Sequence, residues 1–311
     1  RMKSLFPLLR HLSDKKKKPL QYLLLGSATP DMIRDSSETL AGRIAFVELH
    51  GLSIAETGND SMQQLWFRGG FPIPFLTDDD EIRNAWFDNF LFTYVQRDLP
   101  ALGSPAAPQV MLRLVQMLAH LNGQLLNISS LSKSLGLSVN TVKTYLDFLI
   151  NGYLITLLQP WHTNSGKRLV KTPKIFFRDT GLLHHLLNIR REEDLFMHPS
   201  IGASFETFAI NSIAQLTGRN AEIYFYREHE GGEIDLLLMR GNNLLATVEI
   251  KLNSSAEITP AGKRSTDQLA PKKQFVVSAD AIHAVQNSKK LTSCSLPHFL
   301  QEELPEVLGL K

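Results

Sequence analysis

The stretch from Ala221 to Lys251 restricts the fold more than any other, because three strand-like runs follow one another there with little between them. Ala221 to Arg227, Glu233 to Met239 and Leu245 to Lys251 are rich in β-branched, aromatic and other apolar residues. The turn Gly241-Asn242-Asn243 joins the last two as a hairpin. Phe275 to Ser278 reads as a fourth strand, and Ile201 to Ile213 as a helix ahead of the first. Phe205, Phe208, Ala209, Ser212 and Ile213 form the buried side of that helix.

Alternate residues of a strand share a face. Glu249 therefore projects with Lys251, and Glu233 with Asp235. Pairing the two strands brings Asp235 beside Glu249 and Lys251. Two carboxylates and an ammonium are costly to bury idly. They suit Mg²⁺, which takes one or two carboxylates together with waters and phosphate oxygens. At this point a surface cross-strand pattern at Glu249 and Lys251 stays open as the bland alternative, since Glu-x-Lys alone is a weak motif. The order of a helix bearing Glu206, a strand with Asp235 and a strand with Glu249-x-Lys251 is similar to the PD-(D/E)XK nuclease superfamily. That resemblance implies metal ligation by Asp235 and Glu249. It also implies orientation or activation of water by Lys251, and assistance from Glu206. One departure is Ile234, which stands where the superfamily usually has proline.

The middle of the chain carries the positive charge. Residues 105–200 hold 10 Lys and Arg against 5 Asp and Glu, whereas the flanking parts are each slightly acidic. This is a modest signal for polyanion binding. Gln109 to Leu121 is an amphipathic helix, Ile128 to Leu135 a short helix ended by Gly136, and Val139 to Asn151 a third helix with Ser138 as its N-cap. Tyr153 to Leu158 and Lys174 to Phe177 read as the strands of a wing. The layout is a winged helix-turn-helix. Lys133, Asn140, Lys143, Lys167, Arg168 and Lys171 are its candidate nucleic-acid contacts, by charge and position. A winged helix that binds protein instead is the alternative.

Toward the N-terminus, Pro19 to Leu25 reads as a buried strand, Met32 to Leu40 as a helix and Ile44 to Leu49 as a second strand, an α/β pattern. Tyr22-Leu-Leu-Leu-Gly-Ser-Ala28, Leu40-Ala-Gly-Arg43 and Val47-Glu-Leu-His-Gly-Leu-Ser53 resemble the late part of a RecA-like core in a family of AAA-type ATPases of bacteria and archaea. Trp66-Phe-Arg-Gly-Gly-Phe-Pro72 and Tyr94-Val-Gln-Arg-Asp-Leu99 match the same family, as do Tyr226-Arg227 and Gly232-Glu-Ile-Asp235. The last pair belongs to the domain of unknown function 4143 appended to those ATPases. The resemblance implies a nucleotide-sensing role for Ser27 and a charge-stabilising one for Arg43. A turn residue and a surface ion pair are their plain alternatives. No G-x-x-x-x-G-K-[ST] phosphate loop occurs. ATP is therefore expected only with a longer chain, and this one is not expected to hydrolyse it.

Asp80 to Leu99 has helical spacing, and Asp78 to Glu81 are placed where acids favour a helix start. Arg97-Asp98 reads as an ion pair. His184-His185 lie among leucines and cannot both face one metal from a helix; that helix is expected to pack on the wing. One cysteine, Cys294, excludes a disulfide framework. No apolar run reaches membrane-spanning length, and no signal-peptide pattern occurs, so a cytoplasmic setting is expected.

The expected class is α/β plus α: a RecA-like remnant over 1–49, a helical connector over 50–104, a winged helix over 105–200 and a PD-(D/E)XK-like mixed sheet with helices over 201–311. The leading functional expectation is DNA association with Mg²⁺-dependent phosphodiester cleavage. Its rival is a non-catalytic DNA- or protein-binding module coupled to an ATPase core, or to further copies of itself.

Overall fold

In the computed structural model, the described residues are 5–15, 22–25, 40–162, 169–229, 231–280, 284–286, 288 and 290–310. Helices of six residues or more are numbered in chain order. Helix α1 spans Leu5–Lys15. The connector contributes α2 (Met62–Arg68) and α3 (Asp80–Thr93), and α3 runs on through a π-helical turn at Tyr94–Asp98. Asp79 caps α3 by accepting from Glu81 N and Ile82 N, so the acidic run serves the helix end. Arg97 and Asp98 form an exposed ion pair at 3.0 Å.

Where the winged helix is expected, three helices follow, α4 (Pro108–His120), α5 (Ile128–Leu135) and α6 (Val139–Asn151), then the antiparallel pair β1 (Ile155–Leu158) and β2 (Lys174–Phe177). Gly136 ends α5 in the left-handed region at φ 68°, and Ser138 Oγ accepts from Thr141 N to start α6. Helices α7 (Thr180–Leu186) and α8 (Glu192–Met197) lead into α9 (Ile201–Thr217). Strands β3 (Glu222–Arg227), β4 (Glu233–Arg240) and β5 (Asn243–Lys251) form an antiparallel meander. Helix α10 (Pro260–Leu269) crosses to β6 (Lys273–Ser278), which lies parallel to β5. Strands β7 (Val285–Gln286) and β8 (Leu291–Ser295) complete a mixed sheet of order β3-β4-β5-β6-β8-β7.

Among the described residues the expected N-terminal strands are not found, and Pro19 to Gln21 lie outside them. Residues 22–25 and 44–50 have no regular structure, and Leu23, Leu25, Val47 and Leu49 are each more than four-fifths exposed. Among the described residues no strand pairs with either segment, and an apolar run alone does not make a strand stable without a ladder partner. The helix expected at Met32 to Leu40 lies outside the described residues but for its last. Helix α8 is closed at its start by Arg191 and Asp194. Most of the buried apolar residues from Ile54 to Leu308 form one cluster, so the connector, the three helices with their β-pair and the sheet share a core, and Leu169, Tyr226, Ile234, Leu237 and Met239 form a second, smaller one.

His184 is buried at 1% exposure where α7 packs against α2, and α7 also packs on wing strand β2 as expected. Its Nδ1 lies 2.9 Å from the Phe67 carbonyl, which only accepts, so Nδ1 carries the proton. Nε2 then accepts from Ser204 Oγ at 2.5 Å, and Ser204 Oγ accepts from Trp66 Nε1 at 2.9 Å. The chain is satisfied only with a neutral imidazole, and burial lowers the His184 pKa to about 4. Below its ordinary pKa the unfolded chain binds a proton that the folded chain refuses. Stability should therefore fall by about 3 kcal/mol as pH drops from 6.5 toward 4. Urea unfolding checks this: the pH slope in that window should be clearly shallower in His184→Gln, and equal slopes would refute it.

Candidate functional site

The site is built at one end of the meander. The last registered pair between β4 and β5 is Leu236↔Val248, which sets Asp235 opposite Glu249. Asp235 Oδ2 accepts from Ile250 N at 2.8 Å, so the strand ladder itself orients the carboxylate. Lys251 Nζ lies 3.1 Å from Glu249 Oε2 and 3.9 Å from Asp235 Oδ2. Glu249 is 6% exposed, and its Oε1 is reached by no hydrogen-bond donor among the described residues. The near carboxylate of Asp235 offers it only lone pairs. Burial raises the Glu249 carboxyl well above the ordinary range, Asp235 adds to the rise and Lys251 opposes it. The gap between these two carboxylates calls for a proton or a cation.

Glu206 comes from α9, but its partner was not foreseen. Lys174, the first residue of β2 in the winged helix, places Nζ 3.0 Å from Glu206 Oε1 and 2.8 Å from Glu233 Oε1. It is 4% exposed, and Nζ also stands 5.5 Å from the centre of the Phe225 ring. Burial opposes its charge, yet Glu206, Glu233 and Asp235 outweigh burial and hold the ammonium well above the ordinary lysine value. Burial likewise raises the Glu206 carboxyl, with Lys174 pulling it back. Arg227 Nη1 reaches Glu233 Oε2 at 3.3 Å from the paired strand. The sequence signal for Lys174 is a lone lysine opening a strand whose four residues are all buried; such a charge must be paired.

The wing carries Lys174 into this pocket. Phe225 N donates to the Gln159 carbonyl, Trp161 N to the Phe225 carbonyl at 2.7 Å, and Val170 N to the Arg227 carbonyl. These segments continue the sheet beyond β3, its edge strand, and cover backbone groups that would otherwise be unpaired. Asn122, after α4, adds a buried bridge: Nδ2 donates to Thr207 Oγ1 at 2.7 Å, and Oδ1 accepts from Phe177 N. The described parts of the wing are thus tied to β3.

The other candidates lie elsewhere. Lys133 on α5, Asn140 and Lys143 on α6, and Lys171 beside β2 are all exposed. Lys167 and Arg168 lie outside the described residues, as does Ser27. Arg43 sits in a turn and bonds Asp14 of α1 at 2.6 Å, an exposed ion pair. Among the described residues, no group of three or more His, Cys, Asp or Glu is placed to hold a metal. A cation here would rest on Asp235 and Glu249 with its remaining positions on water or substrate, a set that Mg²⁺ accepts. No helix among the described residues is long and apolar enough to cross a membrane.

Two family models match the chain: the domain of unknown function DUF8612 over residues 59–193 and the domain of unknown function DUF4143 over residues 201–296. The first covers connector and winged helix, the second the α9-to-β8 region with the carboxylates. An uncharacterized protein of Mycobacterium tuberculosis is 36% identical over 308 residues, spanning 96% of this chain and 69% of its own length. An uncharacterized protein of Mycobacterium bovis matches to the same extent. No solved structure matches. With a domain of unknown function 4143 at its C-terminal end and this likeness along nearly its whole length, the chain belongs to the family of these mycobacterial proteins.

Proposed function

We propose that the C-terminal sheet is a PD-(D/E)XK-type site that cleaves phosphodiester bonds of DNA with Mg²⁺, in a protein of the AAA-type ATPase family. The observation that carries this reading is the Asp235–Glu249–Lys251 cluster, with a buried Glu249 oxygen that lacks any donor. When bound there, Mg²⁺ supplies a water of lowered pKa and neutralises phosphate charge. Asp235 and Glu249 hold it, the former already oriented by Ile250 N. Lys251, held between the two carboxylates and 23% exposed, is left to orient the attacking water or a phosphate oxygen. The exposed Asn140 and Lys143 of α6, with Lys133, offer a polar and basic face for the duplex. ATP hydrolysis is part of the reading only for longer relatives.

The test is incubation of the chain with linear and branched DNA, in EDTA and in Mg²⁺ or Mn²⁺. Cleavage that needs the cation and is lost in Lys251→Ala is the expected result. Equal cleavage by wild type and Lys251→Ala, or none by either, defeats the enzymatic reading. A second reading, a binding module without catalysis, is favoured by the buried Lys174 that pairs with two of the four carboxylates. DNA binding with salt dependence but no cleavage would select it.

A further inference from the structure

The pocket holds four carboxylates in two pairs, and each pair has its own lysine. Asp235 and Glu249 face Lys251; Glu206 and Glu233 face Lys174. The pairs differ in one respect. Glu249 Oε1 has no donor among the described residues, whereas Lys174 sits within 3.0 Å of both carboxylates of its own pair. At 4% exposure its ammonium has little water to exchange with. It also has little room to withdraw: the strand that carries it is paired to β1, and the segment before it hydrogen-bonds to β3.

We propose that Lys174 is the built-in cation of this pocket, a positioning residue that the winged helix contributes. It reserves Glu206 and Glu233, so that a divalent cation settles only on Asp235 and Glu249. The inference deepens the metal-site reading and rests on it for the identity of the first cation. Its own content is separate: removing the Lys174 charge turns its carboxylate pair into a further divalent-cation site. The physical basis is that two half-buried carboxylates sharing one ammonium repel once it is removed; Arg227 reaches only Glu233 Oε2, so relief between the two needs a proton or a cation. A single ammonium meets that need at fixed position, while a divalent ion would meet it with water as additional ligand.

The experiment is Mn²⁺ titration of the full chain, read by calorimetry and by the electron paramagnetic resonance of unbound Mn²⁺. Lys174→Met is expected to bind one more Mn²⁺ per chain than wild type; equal stoichiometry overturns the proposal. If wild type binds none while Lys174→Met binds one, the catalytic metal reading fails and this inference stands. Should Lys174→Met be unfolded in EDTA by circular dichroism, Mn²⁺ is expected to refold it, since the ion replaces the ammonium; no refolding counts against the proposal. In the wild-type background, Glu233→Gln is expected to leave Mn²⁺ affinity within about threefold, whereas Asp235→Asn lowers it more than about 100-fold. Equal losses in the two variants would make Glu233 a ligand and overturn the assignment.

Discussion

Gly69→Ala is expected to lower stability by about 3 kcal/mol or more. Gly69 has φ 79° and ψ 178°, a region essentially closed to residues with a Cβ. A Cβ there would also stand 2.3 Å from Asp179 Oδ1 and 2.6 Å from Oδ2. That carboxylate accepts from Gly70 N and Leu182 N, both at 2.7 Å, and so joins the connector to the start of α7. The fit is close from the other side as well, since a Cβ on Gly181 would meet the Arg68 carbonyl oxygen at 2.1 Å. The two glycines let the Trp66-to-Pro72 segment lie directly on α7. Opening this contact disturbs His184, Ser204 and the α9 face two residues before Glu206. Urea denaturation measures the loss, and a double-mutant cycle identifies its cause. If Asp179 is the obstacle, Gly69→Ala should cost less in an Asp179→Ala background than in wild type. Additive losses would show that backbone conformation alone is responsible.

The second large effect is on chemistry. Asp235→Asn is expected to lower cation-dependent cleavage by more than about 100-fold, because loss of a mere outer-shell partner already costs 10- to 100-fold. The asparagine oxygen can still accept from Ile250 N, so the end of the β4–β5 pair is kept while the charge is lost. Single-turnover rates at saturating Mn²⁺, with circular dichroism to verify folding, give the comparison. Removing the Asp235 charge also removes one of the causes that raise the Glu249 carboxyl, whose pKa should fall in the variant. A cleavage rate near that of wild type would eliminate Asp235 as a ligand.

The elements of the C-terminal sheet were readable because their signals are local. Period-two alternation and the Gly241 turn set the strands, and the same alternation puts Glu249 with Lys251. The turn alone would set Asp235 opposite Val248; a one-residue irregularity at Leu245, between the pairs Met239↔Leu244 and Leu238↔Ala246, shifts the register and brings Asp235 opposite Glu249, and no local pattern announces it. The helix-turn-helix was readable for the same reason: Gly136 and Ser138 act within a turn of their own backbone. The N-terminal apolar runs misled, since a strand exists only with a neighbour and no local pattern supplies one. Helix α10 carried too weak an apolar pattern to be noticed, though Thr259 caps it by accepting from Gly262 N.

By itself, then, the amino-acid order determined the meander, the helix-turn-helix layout and the face that Glu249 shares with Lys251; the irregularity at Leu245 decided that Asp235 stands opposite Glu249. Only the tertiary structure decided which cation faces Glu206 and Glu233. Lys174 is 32 residues from Glu206, and its approach depends on the wing hydrogen-bonding to β3 and on Asn122 gripping Thr207. Such contacts come from the packing of one element on another. Their electrostatic strength comes from burial, and neither is encoded in the periodicity of any single segment.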